Sequence, residues 1–254
     1  VYAEAFFVAL SPWAATLALV LGVLLWLYRF VKDPERKFER TKVDKFILVF
    51  FFFSGLSVFG AMDQYFSFYN WYNLAGAYVL TYELVVQNLK NREEVIKLAY
   101  ILGSSAILVI LYGYYQYVFG IDISDVAWVD ANIYPELRKR VFSTWVNPNI
   151  LAGYLNEVIC VTVVLLSRAK DNRNKILLGV FAIAAGICLA MTYARGAIFS
   201  LGIILAVYGI VKDRRILYAS LTIGIIALAL SPALLDRLTT IFTRMDTSSE
   251  MRLA

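Results

Sequence analysis

The stretch from Lys175 to Lys212, KILLGVFAIAAGICLAMTYARGAIFSLGIILAVYGIVK, is apolar apart from Arg195 and a few small polar side chains. As one helix, residues 176–211 would be about 54 Å long at roughly 1.5 Å per residue, which exceeds a bilayer core of about 30 Å. Lysine at both ends favours the cytoplasmic side for both, so the chain must turn back between them. The sequence predicts a tight hairpin that turns at TYARGA (192–197), with Gly196 easing the turn and Arg195 at its outer tip.

The rest of the chain follows the same pattern. It is 61% hydrophobic, whereas a soluble domain is about 45–50% apolar. Runs long enough to cross a bilayer recur throughout its 254 residues, so we expect an all-α, polytopic transmembrane bundle in one domain (1–254), with an external loop at 120–147. The predicted spans are roughly 6–28, 46–62, 70–88, 95–118, 149–167, 176–192, 197–211 and 216–231.

Basic residues set the expected orientation. Of the 24 lysines and arginines, 17 lie in four loops, at 29–45, 90–97, 168–175 and 212–215. The positive-inside rule places these loops in the cytoplasm and Val1 outside. The net charge of +5 then reflects loops that face anionic membrane lipids, and it does not call for nucleic acid. The other seven fall on the outer face: Arg138, Lys139, Arg140, Arg195, Arg237, Arg244 and Arg252.

A helix start lies beside some of these outer arginines, in RVFSTWVNPNILAGYL (140–155). Asn147 is a typical N-cap, and Pro148 fits the first helical position. Because backbone N–H groups and the helix dipole attract anions, the neighbouring Arg138 and Arg140 favour an anion site here. The alternative is a well-capped helix with no binding role.

The outer arginines leave two further alternatives open. Arg195 is either an interfacial residue whose charge reaches back to water, or a fixed charge that binds a phosphate in bidentate fashion. Arg252, in TRMDTSSEMRLA (243–254), falls in the first turns of a helix whose start is marked by Ser and Thr before Glu250. The alternative for Arg252 is an ordinary surface residue.

Some residue types indicate what the chain lacks. It has no histidine, and its two cysteines, Cys160 and Cys188, lie inside apolar runs. They are most simply small core residues, and their spacing indicates neither a disulfide framework nor a metal site.

Taken together, these segments resemble the O-antigen ligase and O-antigen polymerase superfamily of bacterial membrane proteins. The resemblance rests on the order of RVFSTWVNPNILAGYL, TYARGA and SSEMR, together with YGYYQYVFG (112–120) before the external loop. It covers residues 95–254 and implies a bundle related to the GT-C glycosyltransferases, with about a dozen spans in the full protein.

The resemblance also implies a reaction. Members move a glycan from a polyprenyl-pyrophosphate carrier to lipid A core, a polysaccharide chain or a protein, on the outer face of the bacterial inner membrane and without a metal or cofactor. Arg195 matches the arginine of the family's Ser-Arg-Gly turn and Arg252 the arginine that opens its large external loop, so both are expected to be catalytic. The expected substrate-binding residues match the segment around the helix start: Arg138, Arg140, Asn147 and Asn149.

Two departures from the family pattern carry expectations of their own. Ala194 replaces the serine of the turn, so the role of that hydroxyl is lost. The catalytic histidine that the resemblance implies is absent, so we expect this chain to be part of a longer protein whose external loop after residue 254 supplies it.

Two other classes of protein remain as alternatives. A transporter or flippase for an anionic lipid-linked solute would use the same arginines, with charged or broken segments at mid-span in two matching halves. We see no such matching halves. A purely structural membrane protein is the third alternative, and the outer arginines count against it.

Overall fold

The computed structural model describes residues 1–33, 35, 37–120 and 140–230, and these are helical with short connections. The helices are α1 (Tyr2–Phe7), α2 (Pro12–Lys32), α3 (Asp44–Leu56), α4 (Gln64–Asn70), α5 (Ala77–Asn88), α6 (Arg92–Phe119), α7 (Pro148–Arg168), α8 (Asn172–Met191), α9 (Arg195–Val211) and α10 (Arg214–Leu230). A 3-10 turn (Ser57–Gly60) follows α3, a π-helical turn (Trp71–Gly76) joins α4 to α5, and a second 3-10 turn (Ser143–Trp145) precedes α7.

Within the described ranges, four helices are long and apolar enough to cross a membrane: α2, α6, α7 and α8. Helix α9 is equally apolar but shorter, with 17 residues. For the described residues, the prediction of an all-helical protein with helices long and apolar enough to span a membrane is therefore confirmed. The count of eight crossings and the relation to GT-C proteins stay predictions.

The first span begins later than the sequence predicted. Helix α2 starts at Pro12 rather than near residue 6, and a separate short helix, α1, precedes it. Ser11 is the reason, because its hydroxyl accepts a hydrogen bond from the Ala14 N–H at 3.4 Å and so caps a new helix. Proline at the first helical position reinforces this start.

The chain forms two compact units, Val1–Ser105 and Ala106–Ala254. The prediction of a single transmembrane domain over 1–254 concerns the whole chain and stays a prediction.

In the first unit, a polar segment after α2 is tied to the end of α5. The buried amide of Gln87 donates to the Glu39 carbonyl at 2.8 Å and accepts from the Glu39 N–H at 3.1 Å. Lys90 lies 2.7 Å from the Glu39 carboxylate, and its hydrogen bond and charge lower the pKa of that carboxyl group. A buried glutamine therefore fixes a loop by pairing with its backbone.

In the second unit, α7 packs against both α8 and α9. Two contacts show that α7 and α9 run parallel. From the middle of α7, the Asn156 amide donates to the carbonyl of Ala197, in the first turn of α9, at 2.9 Å. Near the ends of both helices, the Ser167 and Tyr208 hydroxyls lie 2.9 Å apart. Since α8 lies between them in the chain, it runs back the other way. The predicted reversal is confirmed, but α8 and α9 each pack closely on α7 rather than on one another as a tight hairpin.

Candidate functional site at the arginine end of the second unit

One end of the second unit, here called the arginine end, is where α8 finishes and α7 and α9 begin. The segment before α7 lies against the turn after α8. The Val141 N–H donates to the Met191 carbonyl at 3.1 Å, and the Arg140 Nε donates to the Thr192 carbonyl at 2.7 Å. Sequence spacing left open whether Arg140 and Arg195 lie near each other. These bonds bring Arg140 against the turn that leads directly into Arg195.

Arg140 connects two helix ends. Its Nε bonds the carbonyl of Thr192, the C-cap residue of α8, and its Nη2 donates to the Asn149 side-chain oxygen at 2.9 Å in the first turn of α7. A cation at the end of α8 is favoured by the helix dipole. The guanidinium is partly exposed. It is held in one orientation, as planar recognition of a phosphate requires.

The predicted N-cap of α7 is confirmed. The Asn147 side-chain oxygen accepts from the Asn149 N–H at 2.8 Å, and Pro148 is the first helical residue. Both asparagine side chains therefore have structural partners, Asn147 in the cap and Asn149 with Arg140. Their role as direct substrate ligands stays a prediction.

The turn before α9 differs from the one the sequence predicted. Helix α9 begins at Arg195, so Gly196 is already helical and does not ease the turn. The left-handed residue is Tyr193, with φ 52°. The fully buried Thr192 organises the turn, since its hydroxyl donates to the Leu189 carbonyl at 2.6 Å and accepts from the Ala194 N–H at 3.2 Å. The hydrogen bonds of the Thr192 side chain thus allow a turn with a left-handed Tyr193 where no glycine is present.

Arg195 is the first residue of α9 and is partly exposed. The N-cap residue, Ala194, has no side-chain oxygen and supplies no cap to the first N–H groups of the helix. The positive end of the α9 dipole and the Arg195 side chain therefore lie together, next to the turn that Arg140 contacts.

Backbone strain is concentrated at this end. Among the residues that the structure describes, three non-glycine residues have positive φ: Ser143 (51°), Val146 (60°) and Tyr193 (52°). Each lies in the segment before α7 or in the turn before α9. A residue held in such a conformation costs about 1–3 kcal/mol, and residues of this kind cluster at active and binding sites.

Val146 offers a direct test of this strain. A β-branched residue is disfavoured in the left-handed region, and Val146 is 68% exposed, so little buried area is lost on its removal. We expect Val146→Gly to raise the stability of the purified protein by about 1 kcal/mol. The matched control, Val161→Gly on the exposed face of α7, should instead lower it by about 1 kcal/mol. Thermal unfolding in detergent measures both, and a lower melting temperature for Val146→Gly would argue against strain.

The strained segment is anchored on α6. The buried Ser143 hydroxyl donates to the Val109 carbonyl at 2.7 Å. Gly113 allows this close approach, because a Cβ there would lie 2.9 Å from the Cys188 sulfur and 3.1 Å from a Val141 methyl. Glycine at this position therefore serves packing between α6, α8 and the segment.

Sequence reasoning passed over three polar residues within apolar helices: Gln116, Asn156 and Glu157. Asn156 bonds α9 through its amide nitrogen, whereas its side-chain oxygen is buried with no hydrogen-bond partner in the described part of the chain. Glu157 is the tenth residue of the 21-residue α7 and is exposed. A search for polar side chains inside the predicted spans would have found all three, because such groups are costly in a membrane.

Two of the predicted site residues, Arg138 and Arg252, lie outside the described residues, as does most of the predicted external loop. In the part that is described, no group of three or more His, Cys, Asp or Glu side chains is placed to hold a metal ion. The prediction that the reaction needs neither metal nor cofactor stays a prediction.

The fold and this end define a class of protein: an all-helical chain with membrane-length helices and a fixed arginine between helix termini. Comparison with known proteins adds no family to this description, since no family model, no curated protein and no solved structure matches the chain.

Proposed function

We propose that the chain is the membrane core of a metal-independent glycosyltransferase. It would move a glycan from a polyprenyl-pyrophosphate carrier to lipid A core, a polysaccharide chain or a protein, on the outer face of a bacterial inner membrane. The resemblance to O-antigen ligases and polymerases implies this reaction. The arginine end supports the proposal, because its arginines and helix starts would favour a pyrophosphate.

One observation carries the proposal: Arg140 is fixed between the end of α8 and the start of α7. Its bonds to Thr192 and Asn149 hold the guanidinium beside the turn that leads into Arg195. Helix starts and arginines both favour phosphate oxygens. Their coincidence at one end of the unit is the arrangement that a diphosphate requires.

The chemistry has two requirements. The bond between the sugar and the pyrophosphate breaks as the acceptor hydroxyl attacks, so negative charge grows on the departing pyrophosphate. Arg140, which its hydrogen bonds hold in place, and the neighbouring Arg195 would stabilise that charge. The acceptor hydroxyl must also lose a proton to a base near neutral pKa. In the family that the chain resembles, that base is a histidine.

The test is glycan transfer by the full-length protein. It is reconstituted in liposomes with a polyprenyl-pyrophosphate-linked oligosaccharide and each of the three acceptor classes, and products are followed by mass spectrometry. Release of polyprenyl pyrophosphate together with a glycosylated acceptor supports the proposal. Failure with all three acceptors, with donor bound but unconsumed, contradicts it.

A second function, a transporter or flippase for an anionic lipid-linked solute, is favoured by Glu157. A carboxylate at mid-helix in a membrane marks a substrate or ion path more often than a structural contact. Against this second function, the sequence shows no two matching halves of the kind that inverted repeats provide in transporters.

Glu157→Gln separates the two functions. If the chain is a transferase, we expect glycan transfer by this variant to stay within about 2-fold of wild type, because the proposed chemistry holds the pyrophosphate with arginines and gives this carboxylate no role. If the chain moves its substrate across the bilayer, translocation should fall at least tenfold. The readouts are acceptor glycosylation and the accessibility of a labelled donor in each leaflet, with wild type measured in parallel.

A further inference from the structure

Gln116 is a polar residue in an apolar part of α6, and its side chain is only 4% exposed. Its amide pairs with the backbone of the segment before α7. The side-chain oxygen accepts from the Ser143 N–H at 2.7 Å and the Phe142 N–H at 3.2 Å, and the side-chain nitrogen donates to the Ser143 carbonyl at 3.3 Å. One side chain thus satisfies three backbone groups that a buried loop would otherwise leave unpaired.

These hydrogen bonds hold a strained part of the backbone. Ser143 has φ 51°, a conformation that a serine adopts only when its surroundings impose it. Two elements of α6 impose it, the Gln116 amide on the backbone and the Val109 carbonyl on the Ser143 hydroxyl. The hydrogen bond from the Ser143 hydroxyl to Val109 does not involve Gln116. Loss of the Gln116 amide therefore weakens the attachment of the segment to α6 but does not remove it.

The segment leads directly to Arg140. Val141, between Arg140 and the Gln116 contacts, is 1% exposed and bonds the Met191 carbonyl. The path from Gln116 to Arg140 therefore passes through the buried Ser143, the half-buried Phe142 and the buried Val141, and the backbone N–H of each of the three is hydrogen-bonded. A shift of the backbone at Ser143 moves Arg140 relative to Asn149 and the start of α7.

We propose that Gln116 is a positioning residue of the pyrophosphate site: it sets the orientation of Arg140 through the strained segment 141–143. This inference rests on the proposed function, because it assigns Gln116 a role in binding the donor diphosphate. It predicts that loss of the Gln116 amide weakens donor binding and leaves the rate of the bound complex unchanged, since Gln116 itself touches no reacting group.

The first unit supplies a matched control. Gln87 is 3% exposed and pairs with the backbone of Glu39 as Gln116 pairs with that of Ser143. Methionine matches the length of glutamine and makes neither bond. Gln87→Met and Gln116→Met therefore remove equivalent buried contacts, and only Gln116→Met lies on the path to Arg140.

The experiment measures binding of farnesyl pyrophosphate to the full-length protein in nanodiscs, and KM and kcat for the glycan donor. Folding is checked by size-exclusion chromatography and thermal unfolding, and binding is measured well below each melting temperature. We expect Gln116→Met to raise the Kd and the KM at least tenfold with kcat within about 2-fold of wild type. Gln87→Met should leave all three unchanged.

Two results overturn the inference in different ways. If folded Gln116→Met binds as wild type does, Gln116 only packs and the inference fails while the proposed function stands. If wild type binds no farnesyl pyrophosphate and transfers no glycan, both fail. Should Gln116→Met not fold, Gln116→Asn takes its place, because it keeps the amide but withdraws it by one methylene, with the same expected and overturning results.

Discussion

Glycan transfer should fall at least 100-fold when Arg195 is replaced by alanine. Arg195 is the first residue of α9, beside the turn that Arg140 contacts. Under the proposed function, its removal would take a positive charge from the place where the leaving pyrophosphate develops its charge. Loss of one such group from a preorganised site reduces turnover by roughly 10²–10³. Arg195→Lys should retain more activity, since lysine keeps the charge but cannot bind in bidentate fashion. Initial rates at saturating donor and equal folded protein measure both effects.

The matched control for this prediction is Arg173→Ala. Arg173 lies in the first turn of α8, at the other end of the helix, and is exposed. It should leave the rate unchanged, because the loss of one positive charge far from the site is screened by solvent and salt. Equal activity in Arg195→Ala and wild type would make Arg195 an interfacial anchor. It would also remove the support that the turn gives to the proposed function.

The largest effect on folding is expected at Gly209. This buried residue of α9 faces α10, and a Cβ built there would lie 2.6 Å from the Leu217 Cβ and 2.7 Å from the Leu217 backbone nitrogen. Backbone atoms cannot yield as the end of a flexible side chain can. We expect Gly209→Ala to destabilise the protein by about 3 kcal/mol, the upper end of the usual range for overpacking.

Gly202→Ala, on the same helix, is the control for Gly209→Ala. A Cβ at Gly202 meets nothing within 4 Å, so alanine there should stabilise α9 by about 1 kcal/mol through its better helix propensity. Thermal unfolding followed by tryptophan fluorescence compares the two variants. If Gly209→Ala melts at or above the temperature of Gly202→Ala, the close packing of α9 on α10 is wrong.

The sequence was sufficient for the elements whose signals are local. Hydropathy and helix length predicted an all-helical chain, and Asn147-Pro148 predicted the start of α7 to the residue. The same kind of signal, Ser11-Pro12, was present at α2 and was missed, so the first span was placed too early. The lysines at 175 and 212 required the chain to reverse between them, and α8 and α9 do so.

The tertiary structure alone decided how the candidate site is built. Gly196 looked like the turn residue, but the left-handed position is Tyr193, because buried hydrogen bonds of Thr192 fix the turn. The sequence likewise gave no sign that Arg140 would bond the end of α8 or that Gln116 would hold Ser143, 27 residues away. Hydropathy and caps depend on neighbours in the chain, whereas these contacts depend on which helices pack together, and only folding brings those groups within reach.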